Sequence, residues 1–79
     1  MSGGGQATFY CSDHALQRMA ERGVAEEDIA WALGRPTGIV QPGEPGTMWI
    51  SGYASGGRIL KVCVRATEPD YVITAAWPD

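Results

Sequence analysis

The chain has 79 residues, 44% apolar and 19% charged, which is too apolar and too weakly charged for a disordered chain and short enough for only one domain. A domain of this size buries only roughly 60–65% of its unfolded surface, so its net stability is small unless a disulfide, a metal or a partner adds to it. The net charge of −3 argues against a general nucleic-acid binder, which is usually basic, and leaves room for a local basic site.

Met1 to Gln6 is rich in glycine and is expected to be a flexible segment ahead of a single α+β domain over residues 7–79. Met1 to Thr8 holds neither an apolar run nor a basic region, so no signal peptide is expected. No stretch reaches transmembrane length, and the expected compartment is the cytoplasm, with no membrane partner. Ala7 to Cys11, with Phe, Tyr and Thr, predicts a short first strand. Ser12 is an N-cap candidate and Asp13 suits the first turn of a helix over about Asp13 to Arg22. Leu16, Met19 and Ala20 give that helix a narrow apolar stripe, and Gly23 supplies its stop. A second helix is predicted from about Ala25 to Leu33. Glu26, Glu27 and Asp28 lie in its first turn, Ile29, Ala32 and Leu33 on its buried face, and Gly34-Arg35-Pro36 ends it.

From Thr37 the period shortens to that of strands. Gly38 to Gln41 is a short strand candidate, and Pro42 to Gly46 a loop. Thr47 to Ala54 alternates Met48 and Ile50 against Trp49, Ser51 and Tyr53, and Ser55-Gly56-Gly57 signals a hairpin. Arg58 to Thr67 alternates Leu60, Val62 and Val64 against Ile59, Lys61, Cys63 and Arg65. Glu68-Pro69-Asp70 reads as a turn, and Tyr71 to Trp77 as a last strand stopped by Pro78. The order is β-α-α-β-β-β-β, with the final three strands a meander and the helices covering one sheet face to bury their apolar stripes.

His14, the single histidine, shares a helix stripe with Arg18 and Arg22 at i, i+4 and i+8. Lys61 and Arg65 share one face of a strand that begins near Arg58, so five of the six cationic residues fall in two segments, and Arg35 is the sixth. If helix and strand meet, an acidic protein presents one basic patch. Guanidinium groups hold phosphate and stabilise charge developing on it, and imidazole serves as general acid or base. Cleavage of RNA through its own 2′-hydroxyl needs these functions and no metal or cofactor. Tyr53, Lys61 and Glu21 are candidates for the second proton-transfer group. Each residue also has a structural explanation: His14 as a cap or packing group, Arg18 as the i+3 partner of Glu21, Lys61 and Arg65 as the solvated side of a strand. Trp31, Trp49 and Trp77 fit core or interface anchors better than a base-stacking platform. Cys11 and Cys63 have no C-x-x-C or Cys/His context, so they read as reduced small hydrophobes and not as zinc ligands.

The run Tyr10 to Val24 (YCSDHALQRMAERGV) resembles the "S-x-H-A-x-x-R-M-x-x-R-G-I" signature of the domain-of-unknown-function 4258 family. The acidic start of the second helix, Leu33 to Pro36, Gly57 to Val62 and the ending Val72 to Asp79 are similar to that family as well. The resemblance therefore covers about residues 9–79. It implies a small fold like that of RelE and BrnT toxins, with two short helices on a curved antiparallel sheet. It also implies a metal-independent ribonuclease or RNA-binding role, with RNA or an antitoxin-like protein as partner. Carried over by position, His14, Arg18 and Arg22 match the helix motif, and Arg58 matches the basic residue ahead of the long strand. In that scheme His14 is the acid or base with Tyr53 as accessory, and Arg18, Arg22, Arg58, Lys61 and Arg65 hold phosphate. Two positions depart from the family pattern. Ala25 stands where a capping Ser or Thr is usual, a loss of roughly 1 kcal/mol of helix stability, and Trp77 stands where a polar residue is usual. The residues themselves leave open a non-catalytic protein-binding or regulatory module, with a homodimer supporting so small a core.

Overall fold

The structure is a computed structural model and describes residues 9–78. The expectation of a flexible segment over residues 1–6, and the Ala7 and Thr8 part of the first strand, lie outside the described residues. Strand β1 (Tyr10–Cys11) leads into α1 (Asp13–Arg22) and α2 (Glu26–Gly34). Four strands follow: β2 (Pro36–Pro42), β3 (Thr47–Tyr53), β4 (Ile59–Arg65) and β5 (Glu68–Ala76). They form one five-stranded sheet in the order β1-β5-β4-β3-β2. The expected α+β order is observed, and β3, β4 and β5 are an antiparallel meander. The sheet is mixed, because β1 runs parallel to β5.

Local chemistry accounts for the helix ends. The Ala15 N–H donates to the Ser12 hydroxyl at 3.0 Å, satisfying one of the donors that every helix start leaves open. At the other end Gly23 takes a left-handed φ of 69°. Val24 N–H then donates to Met19 O at 2.8 Å and Gly23 N–H to Ala20 O at 3.4 Å, the paired bonds of a Schellman stop. Ala25 offers no side-chain oxygen to α2, but Asp28 supplies the reciprocal half of a cap. The Ala25 N–H donates to Asp28 Oδ2 at 3.1 Å, and the Ser55 hydroxyl donates to Asp28 Oδ1 at 2.8 Å. One carboxylate thus ties the start of α2 to the β3–β4 hairpin.

Both helices lie on one face of the sheet, α1 against β5 and α2 against β3 and β4. Their buried side chains meet Leu60, Val62, Val64, Val72 and Ala75 from the strands. In α2 the buried residues are Ile29 and Ala32, with Leu33 packed beside them, as the spacing predicts. In α1 the helix is rotated relative to expectation: Ala15 and Met19 are buried, Ala20 is exposed and Leu16 keeps 39% of its surface. The small Ala15 can lie closer to β5 than Leu16 could, and this places Arg22, three residues beyond Met19, on the sheet side.

The turn expected at Glu68-Pro69-Asp70 is corrected. Ala66 and Thr67 make the turn, Arg65 and Glu68 are cross-strand partners, and Glu68 to Asp70 already belong to β5. The register between β4 and β5 shifts at this point, so Pro69 sits where no ladder bond is needed from it. A second shift makes Ile73 an extra residue between the Val64–Val72 and Cys63–Thr74 pairs. That bulge puts Val72 and Ala75 on the helix side and Thr74 on the opposite face. Among the described residues no helix is long and apolar enough to cross a membrane.

Gly52 governs how closely α2 packs. A Cβ there would collide with the Ala32 carbonyl oxygen and lie 2.8 Å from Ala32 Cα, whereas a Cβ at Gly56 meets nothing. Gly52→Ala is expected to destabilise the domain by about 2–3 kcal/mol in urea unfolding, with Gly56→Ala within about 0.5 kcal/mol of the parent. Equal midpoints for the two variants would contradict this packing.

Candidate functional site

The face of the sheet turned away from the helices carries the polar half of each strand. One row of cross-strand partners runs Gln41, Trp49, Cys63, Thr74. The next rows are Ser51, Lys61, Ala76 on one side and Thr47, Arg65, Glu68 on the other. An open cleft of about 350 Å³ lies over the first row, lined by His14, Glu44, Thr47, Trp49, Cys63, Ile73 and Thr74. His14 reaches it because the pairing of β1 with β5 ends at Val72, so α1 begins just as the edge of β5 becomes free.

The first residues of α1 and its last one serve the same strand. Arg22 Nη1 donates to Ala75 O at 2.9 Å and to Thr74 Oγ1 at 3.2 Å, and the Trp77 indole N–H donates to Arg22 O at 3.1 Å. Arg58 stacks on Trp77 with its guanidinium carbon 4.1 Å from the ring centroid. Thr74 thereby links the helix end to the cleft, since its hydroxyl takes the Arg22 bond and its side chain lines the cleft opposite Cys63.

The expected basic patch is only partly assembled. Arg18 is exposed and bridges Glu21 at 3.1 Å. Arg22 is committed to β5 and Arg58 to Trp77. Arg65 bridges Glu68 at 3.2 Å and stacks on Tyr71 at 4.2 Å. Arg35 stacks on Trp31 at 4.4 Å and donates to Ala54 O at 3.3 Å. Lys61 lies over the Trp49 ring, Nζ 5.2 Å from its centroid, on the face that holds the cleft. Tyr53, 42% exposed, shares that face but stands four residues along β3 from Trp49, about 13 Å away along the strand. It does not line the cleft beside His14. Of the seven cleft residues the sequence singles out only His14 as a site candidate; Glu44, Thr47, Cys63, Ile73 and Thr74 are missed, and Trp49 is expected as a core or interface anchor. For Thr74 the bulge at Ile73 left no signal. For Trp49 the alternation along β3 already set it apart from Met48 and Ile50.

The cysteines are free, and neither behaves as an activated thiolate. Burial pushes the Cys63 thiol up, the Thr47 hydroxyl opposes this and the Glu44 carboxylate adds to it. Burial, helped by Glu26, pushes Cys11 up to about 11. At the cleft floor these influences together favour the Cys63 thiol over its thiolate.

The family comparison agrees with the helix motif. Residues 11–77 match the family described as Domain of unknown function (DUF4258). The chain belongs to that family. Comparison with curated proteins and with solved structures gives no significant match. Within this DUF4258 domain the motif residues divide by role: His14 faces the cleft, Arg18 faces solvent, and Arg22 holds the sheet.

Two measurements check this division. Arg22→Ala should lower unfolding free energy by about 1–3 kcal/mol, and Arg18→Ala by less than about 0.5 kcal/mol. Similar losses for both would remove the distinction. For Cys11, a pKa of about 11 keeps the thiol protonated through neutral pH. Its alkylation by iodoacetamide in the Cys63→Ser variant should rise about tenfold per pH unit from pH 8 to 10. A plateau by pH 9 would contradict the shift.

Proposed function

We propose that the domain binds single-stranded RNA on its uncovered sheet face. The observation that carries this reading is the cleft itself, in which an indole, an imidazole and two threonines share one open surface, with the Lys61 ammonium over the indole from the neighbouring row of the sheet. Aromatic rings accept any base by stacking, at about 1–3 kcal/mol per base, and cations beside them hold the backbone. RNA as the ligand class is in keeping with the RelE- and BrnT-like fold that the resemblance of the helix motif implies.

Binding is favoured over cleavage. Transfer through the 2′-hydroxyl needs two proton-transfer groups and a phosphate clamp around one phosphorus. His14 supplies the first, but Tyr53 is distant along its strand, and Arg18, Arg22, Arg58 and Arg65 are engaged elsewhere. Lys61 is the cation best placed for a phosphate, so few phosphate contacts are expected, in keeping with the net charge of −3.

A second reading rests on a different surface. Among the described residues no strand pairs with the outer edge of β2, the strand carries no charge, and Ile39 and Val40 are each 56% exposed. Such an edge suits pairing with a β2 strand of a second copy or with an antitoxin-like protein strand.

A 5′-labelled eight-nucleotide RNA, titrated in chelator and followed by anisotropy and by gel, tests the first reading. Saturable binding that weakens about tenfold or more in Trp49→Ala, with the RNA left intact, is the expected result. His14-dependent cleavage leaving 2′,3′-cyclic ends would overturn the preference for binding. No binding by the folded protein would overturn RNA as the ligand and turn attention to the β2 edge.

A further inference from the structure

The Glu44 carboxylate is the one feature of the cleft that an RNA-binding surface does not explain, because it repels phosphate. Glu44 lies in the loop between β2 and β3, and its place at the cleft is fixed by its backbone. Its carbonyl accepts from Thr47 N–H at 2.8 Å and from the Thr47 hydroxyl at 2.7 Å. The side chain makes neither bond and lines the cleft with Trp49. Its charge is felt at the cleft floor, where it adds to the upward shift of Cys63.

A carboxylate presents two acceptor oxygens and no donor. Among the four RNA bases only guanine carries two adjacent donors on its Watson–Crick edge, the N1–H and the N2 amino group. Adenine and cytosine each offer one donor next to an acceptor nitrogen, and uracil flanks its single N–H with two carbonyl oxygens. A carboxylate beside a stacked base therefore pairs bidentately with guanine and leaves a repulsive contact with each of the others. The cleft volume of about 350 Å³ is at the small end of ligand pockets, roughly 300–1,000 Å³, and suits one nucleotide rather than a stack.

We infer that this cleft is a guanine-selective nucleotide site, in which Trp49 stacks the base and Glu44 reads its N1–H and N2 amino donors. His14 and Thr74, across the cleft, face the sugar and phosphate. Selectivity comes from one charged group, and it explains why a face used for RNA keeps an acidic residue. The inference rests on the RNA-binding reading and deepens it.

The test uses the full chain and four labelled oligonucleotides, eight nucleotides of uridine with the fifth position G, A, C or U. The guanine-containing RNA is expected to bind at least about tenfold more tightly than the other three. Glu44→Gln should erase that preference, so that the four RNAs bind this variant within about twofold of one another. Its fold is expected to persist because the loop bonds use the Glu44 backbone. Equal affinity for all four RNAs would overturn guanine selectivity and leave RNA binding standing. A guanine preference that survives Glu44→Gln would overturn the role of Glu44. Binding of none of the four would overturn the RNA reading, and guanine selectivity with it.

Discussion

The docking of α1 on β5 is the constraint on which the rest depends. Among the described residues β1 pairs with β5 at Tyr71 and Val72, and the stretch of β5 beyond Val72 would otherwise be an open edge. Ala15 and Met19 cover its inner side, Arg22 takes up Ala75 O and Thr74 Oγ1, and Trp77 returns a bond to the helix end. A side chain with several donors in a planar fork suits this task better than an ammonium would. Because the C-terminal end of α1 is held there, its first turn comes to the edge of the cleft, and His14 faces the uncovered side of the sheet. Packing and site geometry are thus set by one helix.

The small core explains why the other face stays open. Among the described residues five large side chains are fully buried, and two helices of ten and nine residues can cover one face of a five-stranded sheet. The outer face must then be tolerated in water, and it is built accordingly, from threonine, serine, lysine and arginine alternating with the half-buried Trp49 and the buried Cys63. Four of the six cations lie over aromatic rings. Their stems and planar heads shield apolar area as well as carry charge, which is why a basic residue in this sequence is as often a packing element as a ligand contact.

Much of the fold was legible in the sequence, because short-range chemistry decides it. Ser12 and Gly23 bracket α1, the acidic first turn and Pro36 bracket α2, and the glycines after Ser55 mark the hairpin. What was not legible depends on register and rotation. An extra residue at Ile73 leaves Val72 and Ala75 on the same face, which no period-two pattern could announce. The turn at Ala66-Thr67 has no turn-forming composition, and the Arg65–Glu68 pair that closes it is visible only once the strands are side by side. In α1 the apolar stripe was read around Leu16, but the smaller Ala15 makes the close approach, and that shift converted Arg22 from a ligand candidate into a structural clamp. The helix motif groups His14, Arg18 and Arg22, and their spacing alone could not separate the cleft-lining His14 from the other two.

RNA recognition by this domain depends on which face of the sheet meets the ligand. Amide and indole chemical shifts of the isotopically labelled protein, followed during titration with a short guanine-containing single-stranded RNA, measure this directly. The account predicts progressive shifts at Thr47, the Trp49 indole, Cys63 and Thr74, with Ala20 and Glu27 on the outer sides of the helices unchanged. Shifts confined to the helices or to the β2 edge, or none at saturating RNA, would contradict it.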